Sequence, residues 1–462
     1  MARTNVVRVA GLLLLSTLSL LAVDCHERHG IRDDHASVAE SEVSADAAEQ
    51  IHISFGRSTS EIVVVWSSRN SSKTSSVQYG SSSSSSSSPL TERLNVSVAA
   101  ECWQFTEGNP DGIQWLYRAR LQNLSPGKSY NYQISSAPGV VASDVFSFSV
   151  PKLLDEAYPM QVVMFGDMGK VGGSATLPRL KEEVKARDNV AMIHVGDFAY
   201  DLQDDGGKRG DDFMNRLQDV SANIPYMTCP GNHEIAFNFS HYRNRFAMPS
   251  ADESPANDQL WWSLDIGPVH FLSYDTEVYF AREDLIQAQL DFINADLARA
   301  ADPAQRKKVP WIVAFGHRPM YCSNIDNDDC ATPKSKVRAG LEATFYKYGV
   351  DFIVEGHEHS YERLYPVFNE TVTQKNYIDP KAPVHIISGQ AGCNEAGGLC
   401  VNPILGKKGD WSAFRSWLPG QYGYGRLKFL NATHAQWSQM YDIVKLTEDT
   451  VIIEQQDHGP FR

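Results

Sequence analysis

Five short apolar runs in this chain each end on a side chain able to hold a metal ion. QVVMFG leads into Asp167-Met168-Gly169, VAMIHVG into Asp197 with Tyr200 three residues on, and IPYMTCPG into Asn232-His233-Glu234. WIVAFG leads into His317, and VDFIVEG into His357-Glu358-His359. Each signature taken singly has a bland reading. Gly-Asp after a strand is usually a turn or a helix cap, and a lone histidine such as His317 is more often a satisfied buried imidazole. The order GDxG, GDxxY, GNH, H and GHxH, with every signature at the end of an apolar run, exceeds coincidence. Glycine at those ends permits a tight turn, so that the next side chain points into a shared crevice.

Two kinds of pattern position these residues. From Gln50 the chain runs in short alternating stretches: QIHISFG, EIVVVWSS, SSVQYG, LYRARLQNL, YNYQISS and VFSFSV. Period-two alternation with turn residues between runs predicts a β-sandwich. From about Tyr158 continuous apolar runs of strand length take over, adding VHFLSYD and VHIISG to the five above. Amphipathic stretches such as 177–186 and 281–300 lie between several of them. Buried strands alternating with helices predict an α/β domain, whose chemistry gathers beyond the C-terminal strand ends. The expected organisation is a signal over 1–24, a flexible leader over 25–48, the β-module over 49–152 and the catalytic domain over 158–462. The serines 81–88 read as a surface loop.

The signature set resembles the metallophosphoesterase superfamily and, through Tyr200, the purple acid phosphatases. Leu124-Ser125-Pro126-Gly127-Lys128-Ser129-Tyr130-Asn131-Tyr132 looks like the turn and paired tyrosines of fibronectin type III modules. The resemblance covers nearly the whole chain. It implies a four-layer α/β (α+β) catalytic domain, a β-sandwich flanked by helices, behind an all-β fibronectin type III-like domain. It further implies an Fe(III) site at Asp167, Asp197, Tyr200 and His359, and a divalent site (Zn, Mn or Fe) at Asp197, Asn232, His317 and His357. Asp197 would bridge the two metals, and the implied activity is acid hydrolysis of phosphate monoesters through a metal-bound hydroxide. The ligand chemistry agrees. Two carboxylates and a phenolate suit a hard, highly charged ion, while an amide and two imidazoles suit a divalent ion of moderate softness.

Net charge is −14, with 42 Lys+Arg against 56 Asp+Glu. That disfavours nucleic acid as a partner, because such binding draws on clustered cations. It also leaves metal cations to attract an anionic phosphate ester. Arg3 and Arg8 followed by the apolar run Val9 to Val23 read as a secretory signal, too short to span a membrane. Secretion, or delivery to the lumen of the secretory or lysosomal pathway, is the expectation, with no membrane span. Six glycosylation sequons agree: Asn70, Asn95, Asn123, Asn238, Asn369 and Asn431. Among seven cysteines, Cys322 with Cys330 and Cys393 with Cys400 bracket polar loops and read as local disulfides. Cys229, in an apolar stretch, is the expected buried thiol.

Beside the ligands, His233 and Asn232 are the residues expected at the substrate. His233 could bind the phosphate, protonate the leaving alkoxide or serve only as support. Glu234 is expected to orient His233, His194 to pack behind Asp197, and Arg318 to be exposed or ion-paired rather than on substrate. Plant two-domain and small mammalian members carry a further histidine just downstream of the His317 position. Here 318–326 contains none, and the wording resembles the long animal-type members instead. That leaves leaving-group protonation and substrate choice open. A phosphodiesterase or nucleotide pyrophosphatase using the same metals is the alternative, and an inactive secreted binding protein a third. Oligomeric state is not encoded in any recognisable pattern.

Overall fold

The computed structural model describes residues 47–71, 74–82, 94–107, 114–135, 143–249, 259–323, 329–392, 409–416, 421–442 and 445–461. The expected signal, nearly all of the leader, most of the serine run and Cys25, Cys393 and Cys400 lie outside the described residues.

The β-module is a sandwich of two four-stranded antiparallel sheets. One has the order Glu49–Phe55, Ile62–Ser68, Gln114–Leu121, Glu101–Phe105, and the other Val96–Ala99, Ser76–Ser81, Ser129–Ser135, Phe146–Ser149. All six alternating runs form strands. Val96–Ala99 and Glu101–Phe105, absent from the sequence reading, are edge strands that leave most of their side chains in contact with water. An edge strand buries little, so its alternation is faint. Ile62–Ser68 departs from alternation in the other direction and is buried along its whole length. Its inner face joins the sandwich core, while Val63 and Val65 pack outward on Ala247 of the catalytic domain.

The catalytic domain places two mixed sheets around one hydrophobic core. In the first, Tyr226–Cys229, Asn189–Val195 and Met160–Phe165 run parallel, followed by antiparallel Gly423–Phe429, His434–Tyr441 and Thr447–Glu454. The second has the order Trp262–Ile266, Val269–Ser273, Trp311–Gly316, Phe352–Glu355, Val384–Ser388, Tyr361–Leu364, Ser412–Arg415. Its four strands from Val269–Ser273 to Val384–Ser388 are parallel, as their long crossover connections require. Trp311 meets Phe429 at 5.6 Å between ring centroids, closing one sheet on the other. The helices Gly173–Ala186 and Ile286–Ala300 occupy the two amphipathic stretches seen in the sequence. No helix among the described residues is long and apolar enough to cross a membrane.

The sandwich grips two elements that lead to the strand ends. Gln50 and Ile51 donate backbone N–H bonds to Asn215 and Gln218 of the helix Lys208–Ser221, at 3.1 and 2.9 Å. Trp103 Nε1 donates to Asn244 Oδ1 at 3.0 Å, on the helix Ala236–Arg245 that follows Asn232 and His233.

Candidate metal centre

The five signatures follow the C-terminal ends of five parallel strands, three in the first sheet and two in the second. The expectation about glycine holds at Gly196, which turns at φ 78° before Asp197, but not at the other strand ends. Among the ligand-bearing positions it is Asp167, Asp197, Tyr200 and His357 that hold left-handed backbone, at φ 62°, 54°, 47° and 68°. Gly231 is extended, and its missing side chain makes room instead: a Cβ there would stand 2.2 Å from Asp197 Oδ1. A Cβ on Gly356 would stand 2.7 Å from Asp167 Oδ2. Left-handed backbone at non-glycine residues costs roughly 1–3 kcal/mol each and persists where the surroundings over-determine it, as at functional sites.

The seven side chains meet in one crevice. Tyr200 Oη lies 2.7 Å from His359 Nε2 and donates to Asp167 Oδ1 at 3.3 Å. His317 Nδ1–H donates to the Val195 carbonyl at 2.9 Å, which turns Nε2 inward. There it faces Asn232 Oδ1 at 3.0 Å, His357 Nδ1 at 3.2 Å and Asp197 Oδ2 at 3.3 Å. Donor atoms of Asp197, His317 and His357 all lie within 4.8 Å of one another. The backbone N–H of His357 donates to Asp167 Oδ2 at 2.9 Å, tying the two halves of the crevice together.

The electrostatics of this cluster call for cations. Asp197 is buried, and among the described residues no hydrogen bond reaches its Oδ2. That oxygen faces the imidazoles of His317 at 3.3 Å and His233 at 3.8 Å, and a buried carboxylate is costly unless it is paired or binds a metal. Burial would lower the basicity of His317, yet the carboxylates of Asp197 and Asp167 raise its pKa to about 10. Burial opposes ionisation of Asp197, but His317, His233 and His357 outweigh it and hold the acid below the usual carboxylate range. The oxygen-rich group of Asp167, Tyr200 and His359 and the nitrogen-bearing group of Asn232, His317 and His357 flank Asp197. This donor chemistry fits a hard ion and a softer divalent ion sharing one carboxylate.

Around the ligands, one expectation fails. The Glu234 carboxylate is engaged by backbone. It accepts the backbone N–H groups of Asp197 at 2.9 Å, Phe198 at 3.1 Å and Gly231 at 2.8 Å, binding two ligand loops together. Burial and the nearby Asp197 charge push its pKa up to about 7. Asp201 orients His233 instead, its Oδ1 lying 2.7 Å from His233 Nδ1. The sequence reading missed Asp201, although it directly follows Tyr200. His194 packs behind the site as expected, 2.7 Å from Tyr226 Oη, with burial lowering its pKa to about 3. Arg318 is ion-paired as expected: Nε meets the buried Glu277 at 2.9 Å, and the guanidinium lies 4.4 Å over Phe280.

Cys322 and Cys330 form a disulfide, with sulfurs 2.16 Å apart. Cys229 is a free buried thiol, and Cys102 is free and partly exposed. All six sequon asparagines are exposed.

Comparison with known proteins agrees along the whole described chain. Family models match for the calcineurin-like phosphoesterases over 160–361, for the purple acid phosphatase N-terminal domain over 48–150, and for the iron/zinc purple acid phosphatase-like protein C region over 382–452. "Acid phosphatase type 7" of Danio rerio is 40% identical over 436 residues, covering 89% of this chain and 92% of that protein. The Homo sapiens protein of the same name is 40% identical, with 86% and 88% covered. The structure of a purple acid phosphatase from yellow lupin seeds superposes with a TM-score of 0.72 at 21% identity. That superposition covers 88% of this chain and 74% of the lupin chain, and it shows the shared fold. With sequence, family models and fold in agreement, this chain belongs to the purple acid phosphatases.

Proposed function

We propose that the chain is a secreted acid phosphatase that hydrolyses phosphate monoesters at a binuclear Fe(III)–M(II) centre. The observation that carries this reading is a pair of donor groups: Asp167, Tyr200 and His359 stand 2.7 to 3.5 Å from one another, and Asn232, His317 and His357 gather with the buried Asp197. Asp167, Asp197, Tyr200 and His359 hold the iron. Asp197, Asn232, His317 and His357 hold the divalent ion, zinc, manganese or iron. When bound, such a pair supplies an activated water and the positive charge that a phosphate ester seeks.

The rest of the chemistry falls to the chain's own residues. His233 is partly open to solvent, and its Nδ1 is held by Asp201, so Nε2 points into the crevice, 3.8 Å from Asp197 Oδ2. In that position it donates a hydrogen bond to the phosphate and hands its Nε2 proton to the leaving alkoxide. The Asn232 amide lies beside it on the substrate side. Glu234 keeps the loops of Asp197 and Asn232 in register, and the Val195 carbonyl fixes the tautomer of His317. Export is supported by six exposed sequons and a formed disulfide, both suited to an oxidising compartment.

The test is elemental analysis of protein purified from a secretory host, with its visible spectrum and rates on a mono- and a diester. Two metals per chain including iron, a pink to purple colour bleached by Tyr200→Phe, and faster monoester turnover are expected. An active, iron-containing but colourless protein would refute the Fe(III)–tyrosinate assignment. Preferential turnover of the diester would refute the substrate class.

A further inference from the structure

The Cys322–Cys330 disulfide lies directly against the loop that carries two of the metal ligands. Cys330 Sγ stands 3.1 Å from Glu358 Oε1, and Glu358 lies between His357 and His359. Both cysteines and Glu358 are fully buried, so the carboxylate cannot move without displacing the sulfur. Cys322 also ends the short segment that starts at His317. That segment is tied down along its length. Met320 N–H donates to Glu355 Oε1 at 2.8 Å, Ser323 N–H to Glu362 Oε2 at 2.9 Å, and Trp411 Nε1–H to the Cys322 carbonyl at 3.2 Å.

We propose that this disulfide is a positioning element for the divalent half of the metal centre, fixing His317 against His357. The inference rests on the ligand assignment under Proposed function. His317 opens the segment that the disulfide closes, and His357 adjoins the side chain on which the disulfide rests. Three of the four iron ligands, Asp167, Asp197 and Tyr200, instead follow strands of the first sheet, and only His359 shares the clamped loop. Loss of the clamp therefore loosens the two metals unequally. The loop it closes spans only eight residues of sequence separation. Closing so short a loop constrains the unfolded chain less than closing a long one, so the role is local rather than global.

The experiment compares wild type with the Cys322→Ser/Cys330→Ser double variant, both purified without reductant. Each is incubated with EDTA while iron and divalent metal are followed by elemental analysis, alongside the melting temperature. The variant is expected to lose the divalent ion at least about tenfold faster, the scale of lost support around a ligand. Its iron loss should match wild type, and added Zn²⁺ should restore activity. Retention of both metals at wild-type rates would overturn the proposal, as would parallel loss of both with a lower melting temperature. Glu358→Gln, which keeps the disulfide, provides a second test should the double variant fail to fold. It should show the same selective loss to a smaller degree, and wild-type retention of both metals there would also count against the clamp. A wild type lacking bound metal would refute the binuclear reading itself, whereas a metal-retaining variant refutes only the clamp.

Discussion

In the sandwich, the strand Ile62–Ser68 buries every residue, and Trp66 stacks on Tyr117 at 5.3 Å with 6° between the ring planes. At the ends of the catalytic strands, four ligand residues hold left-handed backbone, and buried carboxylates face imidazoles with one oxygen left unsatisfied. Both regions are β-structure of similar burial. In the first, local preference and packing favour the same arrangement. Trp66 Nε1 and His52 Nε2, buried there without a hydrogen-bond partner among the described residues, belong to neutral or weakly basic groups. In the second they conflict, and the conflict is concentrated at the residues proposed to hold the metals. The difference teaches that the catalytic domain concentrates left-handed backbone and buried charge at its strand ends, while the sandwich grips the helices behind them.

The largest expected effect tests that division. Asp197→Asn keeps a side chain tolerant of φ 54° but removes the charge that flanks both metal groups. Activity should fall by at least about 10³-fold, the scale of losing a principal electrostatic element, with metal content reduced. The metal-free variant should melt lower than metal-free wild type, because the ionised Asp197 is held by His317, His233 and His357 and its loss leaves a buried imidazole without its carboxylate. An unchanged melting temperature would show that this pairing contributes nothing to stability. Trp66→Ala is the counterpart in the sandwich. It should destabilise the protein by about 3–5 kcal/mol by denaturant titration, while kcat of the folded fraction stays unchanged. A fallen kcat would mean that the sandwich contributes to chemistry as well as to stability.

A smaller effect is expected at Asp201. Asp201→Asn should lower kcat on an alkyl phosphate by about tenfold through misoriented His233, with both metals retained. Turnover of p-nitrophenyl phosphate, whose leaving group needs little protonation, should barely change. An equal loss on both substrates would show a structural role only.

The smallest effect contrasts two buried histidines. Burial lowers His52 of the sandwich from 6.5 to about 4, so it contributes stability above pH 6.5 that is lost as pH falls towards 4. Burial also disfavours charge on His270, but Asp265 and Asp296 raise it from 6.5 to about 9. Its contribution is present below pH 6.5 and lost as pH rises through about 9. Each is roughly 3 kcal/mol at most. Melting temperature should therefore be highest near pH 6.5. His52→Gln should flatten the acid limb, and His270→Gln the alkaline limb.

The proposed ligand set was legible because each member depends on a local relation, an apolar strand followed within a few residues by a donor side chain. The six alternating strands were legible for the same reason, and the two edge strands were not, because exposed edges leave little pattern. Asp201 escaped because its meaning lies in His233, 32 residues away across a helix and a strand, and that pairing leaves no mark on either residue's neighbours. Glu234 was assigned to its sequence neighbour, while its carboxylate reaches across to the backbone of Asp197 and Phe198. The pairing of Arg318 with an acid was anticipated, but the identity of that acid, Glu277, was not.

The sequence by itself determined the strands, the two-part organisation and the set of donor residues, since periodicity and strand-end chemistry are read along the chain. The tertiary structure decided which side chain supports which, where glycine leaves room, and that a disulfide rests on the ligand loop. These depend on contacts across two sheets and many residues, where close packing, rather than sequence spacing, sets every distance.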